Sequence, residues 1–274
     1  MIFRRIETNT QLSNRHAINL VNGRISDGAF ALYTVVPADK AAILPDGISY
    51  TDGVVVPFAL EAAVCALSLK QPGTAMPGVA TPALDLPYPS LEPTTSNKLI
   101  VVYGGSSSVG SMTIQIASAA GVKIIAIASA NNLELCKDCG ATEVVDRHDS
   151  ALVEKVVAAI SKSGHEFVGI FDAVSTPETY QSDLTMLEML GGGHLVCTHP
   201  PPGNVPDNVK AGMIFAVNDV AIPVWREYVT QALQTGKLKC LPRPTVVGKG
   251  LEYIQKALEL CEAGVSATKL VVEL

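Results

Sequence analysis

From residue 94 onward the sequence predicts an α/β fold built on a doubly wound parallel sheet, and three observations carry it. Short unalternating apolar runs, Leu99–Tyr103 and Lys123–Ala128, read as strands covered on both faces. Residues then recur at helical spacing, as in Val109, Met112, Ile116 and Ala120, with Gly121 as a stop. Between the first run and the first helix lies YGGSSSVG (103–110), a glycine–serine turn of the kind that feeds a strand into a helix.

The elements follow in order. Ala29–Val36 and Ala42–Leu44 read as strand-like pieces, and Ala59–Leu69 as a helix. The apolar stretch Val54–Leu69 is interrupted by Pro57 and Glu61, so a buried helix is expected there, not a membrane span. Prolines at 72, 77, 82, 87, 89 and 93 predict an ordered crossing segment or a linker, not sheet. Asn132–Cys139 reads as a helix with Asn132 as its N-cap, and Glu143–Asp146 as the third strand. Asp149 is expected to cap a helix running to about Ser163. Val168–Val174 is the fourth strand, Pro177–Leu190 a helix with proline in its first turn, and His194–Thr198 the fifth strand. Met213–Val217 reads as a sixth. Beyond residue 221 come a helix (Val224–Thr235), a strand near Pro244–Val247, a helix (Gly250–Ala263) and a last strand (Lys269–Leu274).

Composition narrows the function. The 274 residues are 48% hydrophobic, enough for one large domain or two modest ones. With 20 basic and 26 acidic residues the net charge is −6, which argues against a nucleic-acid or anionic-membrane surface. MIFRRIETNTQ has basic residues without a following apolar region, so no signal peptide is read and a cytoplasmic protein is expected. The six cysteines show no disulfide framework. Cys136 and Cys139 form a C-x-x-C, but at a helix end, where no dipole lowers a thiol pKa, and without further ligands for zinc.

The glycine–serine turn points backbone N–H groups and a helix N-terminus at whatever lies above it, an arrangement suited to an anion. Ser106, Ser107 and Ser108 add hydroxyls; the alternative is a tight turn with capping serines. The second strand ends in Ser129-Ala130-Asn131-Asn132, without the acid that would hold a ribose 2′-OH. Arg147, beyond the third strand, is placed to neutralise a 2′-phosphate.

VVYGGSSSVGSMTIQIASAAGVKIIAIAS followed by NNLELCKDCGATEVVD resembles the cofactor domain of medium-chain dehydrogenases/reductases. The nearest branch is the zinc-independent quinone reductases and the trans-acting enoyl reductases of fungal polyketide pathways. DGAFALYTVVPADKAAILPDGIS resembles the family's entry into its GroES-like catalytic domain, and GVSATKLVVEL its last strand. The resemblance implies a Rossmann domain over 94–221 and a truncated GroES-like, β-rich catalytic domain over 1–93 that returns over 222–274. It implies NADPH as cofactor, no metal, and reduction of an activated C=C bond in an enoyl thioester or enone. Carried over by position, Ser106, Ser107, Ser108 and Val109 hold the pyrophosphate, and Ser129, Asn131 and Arg147 meet the 2′-phosphate and adenosine. Val174 and Thr198 line the ribose and nicotinamide, and Tyr33 is the candidate proton donor. A small-molecule or acyl-thioester substrate is implied, with self-association or a polyketide synthase as the expected partner.

The sequence departs from the family in three places. Further strands precede DGAFALY in the family, Glu61-Ala62 stands where relatives often carry Ser-Thr, and Arg147 replaces a frequent aromatic. Two rival readings remain at this level. One is a non-redox NADP(H)-binding relic, or a cleft for polyketide isomerisation or cyclisation. The other is a serine hydrolase using Ser108, Asp172 and His199, although a nucleophile elbow requires glycine at position 106, which is serine.

Overall fold

The computed structural model of the protein describes residues 17–19, 36–76, 79–216 and 218–273. The expected strand Ala29–Val36 lies almost wholly outside these residues. At the front, β1 (Ala17–Asn19) pairs antiparallel with β2 (Ala41–Ile43). The short α1 (Tyr50–Gly53) is capped by Ser49, whose Oγ accepts from Asp52 N. In α2 (Val56–Ser68) every residue except Phe58 is buried, as an almost uniformly apolar helix requires. The proline-rich segment corrects one expectation, because it contains a small hairpin, β3 (Gly73–Met76) with β4 (Val79–Thr81). Pro72 and Pro82 flank the paired residues without entering the ladder.

The alternating region runs β5 (Lys98–Tyr103), α3 (Ser108–Ala119), β6 (Lys123–Ala128), α4 (Leu133–Asp138), β7 (Glu143–Asp146) and α5 (Leu152–Ser163). It continues through β8 (Glu166–Asp172), α6 (Pro177–Met189), β9 (Gly193–Cys197) and β10 (Val209–Met213). These six strands form one sheet in the order β10-β9-β8-β5-β6-β7, and every pairing is parallel. Side-chain alternation divides the core. Ile100, Val102, Ile124, Ala126 and Val196 pack toward α2 and α3, whereas Leu99, Val101, Ile125, Ile127 and Leu195 pack toward α5 and α6. The chain moves outward in one direction from β5 and in the other from β8, so the crevice between their C-terminal ends is the topological switch point.

Two strand ends differ from expectation. β8 stops at Asp172, two residues before Val174, because the Asp172 carboxylate turns the following backbone back on itself. The sixth strand is Val209–Met213, not Met213–Val217. It is selected by parallel pairing with β9 and passes so close to β4 that a Cβ on Gly212 would lie 2.0 Å from Ala80 O.

At the C-terminal end, the expected helix 224–235 is divided into α7 (Ile222–Val224), a π turn (Trp225–Val229) and α8 (Thr230–Gln234). β11 (Pro244–Lys249) and β12 (Lys269–Glu273) pair in parallel, joined through α9 (Ile254–Glu262), which has no buried residue. A hydrogen bond ties this end to the front, with Trp225 Nε1 donating to Glu61 Oε1 at 2.7 Å.

Candidate functional site

The switch point is built from two facing turns. In the first, Gly104 has φ +73°, and a Cβ there would sit 2.4 Å from Val174 Cγ2. A Cβ on Gly110 would lie 2.1 Å from Gly104 O, so only glycine lets α3 start this close to the end of β5. Ser107 is the helix N-cap, its Oγ accepting from Gly110 N at 3.0 Å. Ser106 Oγ accepts from Asn132 Nδ2 at 3.3 Å, and the same amide donates to Ser266 Oγ at 2.9 Å. This corrects the reading of Asn132 as a cap: it occupies that position, but its side chain reaches across to the turn instead. Ser108 Oγ is buried and has no hydrogen-bond partner, so it is a spare hydroxyl at the start of α3. Val109 packs partly buried against the core.

The second turn follows β8. Asp172 is fully buried, and its Oδ1 accepts from Val174 N at 2.8 Å and Ser175 N at 2.9 Å. Its Oδ2 accepts from the Thr179 hydroxyl. These bonds hold Ser175 in the left-handed region, with φ +59°. Ser175 Oγ donates to Asp172 O at 2.9 Å and accepts from Thr198 N at 2.9 Å, which joins the ends of β8 and β9. Val174 and Thr198 are thereby brought to the crevice, with Val174 against Gly104.

The remaining predicted residues gather at the ends of β6 and β7, whose last residues Ala128 and Asp146 are in register. Ser129 is half-buried, while Asn131 and Arg147 are exposed. Arg147 N donates to Ala128 O at 2.9 Å, and its Nε donates to His148 Nε2 at 3.0 Å. The guanidinium is therefore anchored by one edge with its other donors outward. Tyr33 lies outside the described residues.

Glu61 is buried, and burial raises its carboxyl pKa while the Trp225 bond partly opposes this. Its position in the sequence is thus occupied by a structural tie between α2 and the π turn. Burial pushes the thiol of Cys136 up to about 11 and that of Cys139 up to about 12, which makes both unreactive. Among the described residues no three His, Cys, Asp or Glu side chains are grouped as a metal site would need. The hydrolase reading is corrected. Both Asp172 oxygens are taken by Val174, Ser175 and Thr179, and His199 Nδ1 lies 3.4 Å from Thr198 Oγ1. Reading the sequence missed the anchoring role of Asp172, which a lone strand-end acid could have signalled. It also missed Ser175 and Ser266, for which no local signal exists.

Residues 108–226 match the family model described as zinc-binding dehydrogenase. The dehydrogenase orsE of Emericella nidulans is 70% identical over 261 residues, covering 94% of this chain and 75% of the relative. The trans-enoyl reductase himH of Aspergillus japonicus is 32% identical over 265 residues, covering 94% and 72%. Among solved structures, a mycobacterial protein complexed with NADPH superposes with a TM-score of 0.61 at 19% identity, covering 90% of this chain and 72% of that one.

Proposed function

The chain belongs to the medium-chain dehydrogenase/reductase superfamily, and from that premise we propose that it is an NADPH-dependent, metal-free reductase of activated C=C bonds. The spare Ser108 hydroxyl, buried at the start of α3 beside the glycine–serine turn, carries the cofactor assignment. A buried hydroxyl without a partner is costly, and an anion resolves the cost. The donor set suits a dinucleotide. Ser106, Ser108 and the first N–H groups of α3 would hold the pyrophosphate, and Ser107 preserves the helix start by capping Gly110. Arg147, with Ser129 and Asn131 nearby, would meet a 2′-phosphate, where an acidic residue would repel it. Val174 and Thr198 would line the ribose and nicotinamide side of the crevice.

When bound, NADPH supplies a hydride to the electron-poor carbon of an enone or enoyl thioester. The chain's own part is to bind the nucleotide, to hold Val174 against Gly104, and to keep the crevice walls fixed through Asp172 and Ser175. The name trans-enoyl reductase borne by one relative supports an enoyl compound as the substrate; in the proposed reading this is an acyl thioester or small enone of secondary metabolism.

Fluorescence titration with NADPH and NADH, followed by an enone and enoyl-thioester screen, tests this reading. Saturable binding that favours NADPH, with NADPH consumption dependent on enone, is the expected result. Equal affinity for both nucleotides, or none, overturns it.

A further inference from the structure

The last residues of the three central strands form a row. Tyr103 ends β5, Asp172 ends β8 and Cys197 ends β9, and the register sets Tyr103 beside Asp172 and Asp172 beside Cys197. In-register neighbours share a face, here the face covered by α6, which brings Tyr180 to the row. Thr179 of α6 bonds Asp172 Oδ2, and Asp183, four residues on and buried on the same helix face, follows it. Asp172 and Asp183 are both fully buried, and neither oxygen of Asp183 has a partner.

An ionised Asp183 would be an unpaired buried charge next to a second carboxylate, which is prohibitively costly. As a neutral acid it has one O–H to donate, and Asp172 is the acceptor beside it. Burial, reinforced by the charge of Asp172, accordingly pushes Asp183 well above the usual carboxylate range. Tyr103, Tyr180 and Cys197 surround the pair and are themselves raised, first by burial, while Arg147 acts on Tyr103 in the opposite sense. No ion pair to a lysine or arginine reaches Asp172 among the described residues. Hydrogen bonds reach its oxygens from the amides of Val174 and Ser175 and from the Thr179 hydroxyl.

We propose that Asp183 is a positioning residue, donating as a neutral acid to Asp172 and through it holding the Val174–Ser175 turn that forms one wall of the nucleotide crevice. The proposal deepens the nucleotide reading and rests on it for its ligand. Removing the Asp183 donor leaves Asp172 short of one bond and freer to turn, so its hold on the Val174 and Ser175 amides weakens. The wall beside the glycine–serine turn loosens, whereas Ser129, Asn131 and Arg147 at the ends of β6 and β7 are untouched.

The test uses the full chain with Asp183→Leu, which removes the donor, and Asp183→Asn, which keeps one. Ligands are NADPH and 2′,5′-ADP, the latter lacking the half that meets Val174 and Thr198. Asp183→Leu is expected to weaken NADPH about tenfold while leaving 2′,5′-ADP within about twofold. It is also expected to raise amide exchange at Val174 and Ser175 in the nucleotide-free protein, and Asp183→Asn restores both properties. Unchanged exchange in folded Asp183→Leu, equal losses for both ligands, or failure of Asp183→Asn to restore them overturns the proposal. Should Asp183→Leu not fold, infrared spectra decide: wild type shows a protonated-carboxyl band that Asp183→Asn lacks, and its absence from wild type overturns the proposal. If wild type binds neither ligand, the nucleotide reading fails, while amide exchange and the infrared band still judge the positioning role.

Discussion

The two turns that face each other at the switch point are made by opposite means. The turn after β5 depends on backbone freedom: Gly104 has φ +73°, and Gly110 leaves room for Gly104 O. The turn after β8 contains no glycine, and Ser175 reaches φ +59° because Asp172 takes the amides of Val174 and Ser175. The left-handed φ of a glycine is a local freedom, and here the missing Cβ also makes room for Val174 of the other turn. The acid-held turn is a tertiary property, tied through Thr179 and Asp183 to α6 and through Thr198 to β9. One wall of the crevice is therefore set by steric fit and the other by a buried electrostatic balance.

Substitutions that exchange these strategies test the contrast. Gly110→Ala should cost the most, about 3 kcal/mol, because its Cβ meets backbone that cannot rotate away. Thermal or urea unfolding reads this, and a loss below about 1 kcal/mol would show that α3 shifts freely. Ser175→Ala should cost about 2 kcal/mol through its bonds to Asp172 O and Thr198 N, and Ser175→Gly about 1 kcal/mol less, since glycine relieves the left-handed strain. Equal losses for the two variants would place the whole cost in the hydrogen bonds.

Asp183 makes stability depend on pH. The unfolded chain releases this proton near the ordinary carboxylate pKa, while the native chain keeps it, so the unfolded state binds fewer protons above about pH 4. This group's contribution to stability then falls by about 1.4 kcal/mol per pH unit until the native acid ionises. Asp183→Asn should flatten that slope and be the more stable protein at neutral pH; parallel stability curves for the two proteins would refute it. Arg147→Ala should weaken NADPH about tenfold and leave NADH unchanged, a difference that titration of both nucleotides reads directly. The smallest effect is expected from Ser107→Ala, about 1 kcal/mol for loss of the α3 cap, which should be insensitive to every change in the opposite turn. Measurable coupling of Ser107→Ala to Ser175→Ala would mean that the two walls form one unit.

Much of the fold was legible because its determinants are local. Leu99–Tyr103 and Lys123–Ala128 are apolar on both faces, the helices carry their own periodicity, and Gly104, Gly110 and Gly121 mark turns by their chemistry. The serines and Arg147 were legible as candidates because anion binding needs hydroxyls, amides and a cation at strand ends.

What only the tertiary structure decided depends on partners distant in sequence. The choice of Val209–Met213 over Met213–Val217 came from pairing with β9 and the close approach of β4. The recruitment of Asn132 to Ser106 and Ser266, across 26 and 134 residues, came from packing around the turn. The early end of β8, the left-handed Ser175 and the neutral acid at Asp183 share one cause. Hydrogen bonds and desolvation in a buried cluster act on groups that no periodicity in the sequence relates. Residue types and spacing determined the sheet, its helices and the chemistry available at their ends; burial and long-range contact decided which of those groups are spent on structure and which remain free for a ligand.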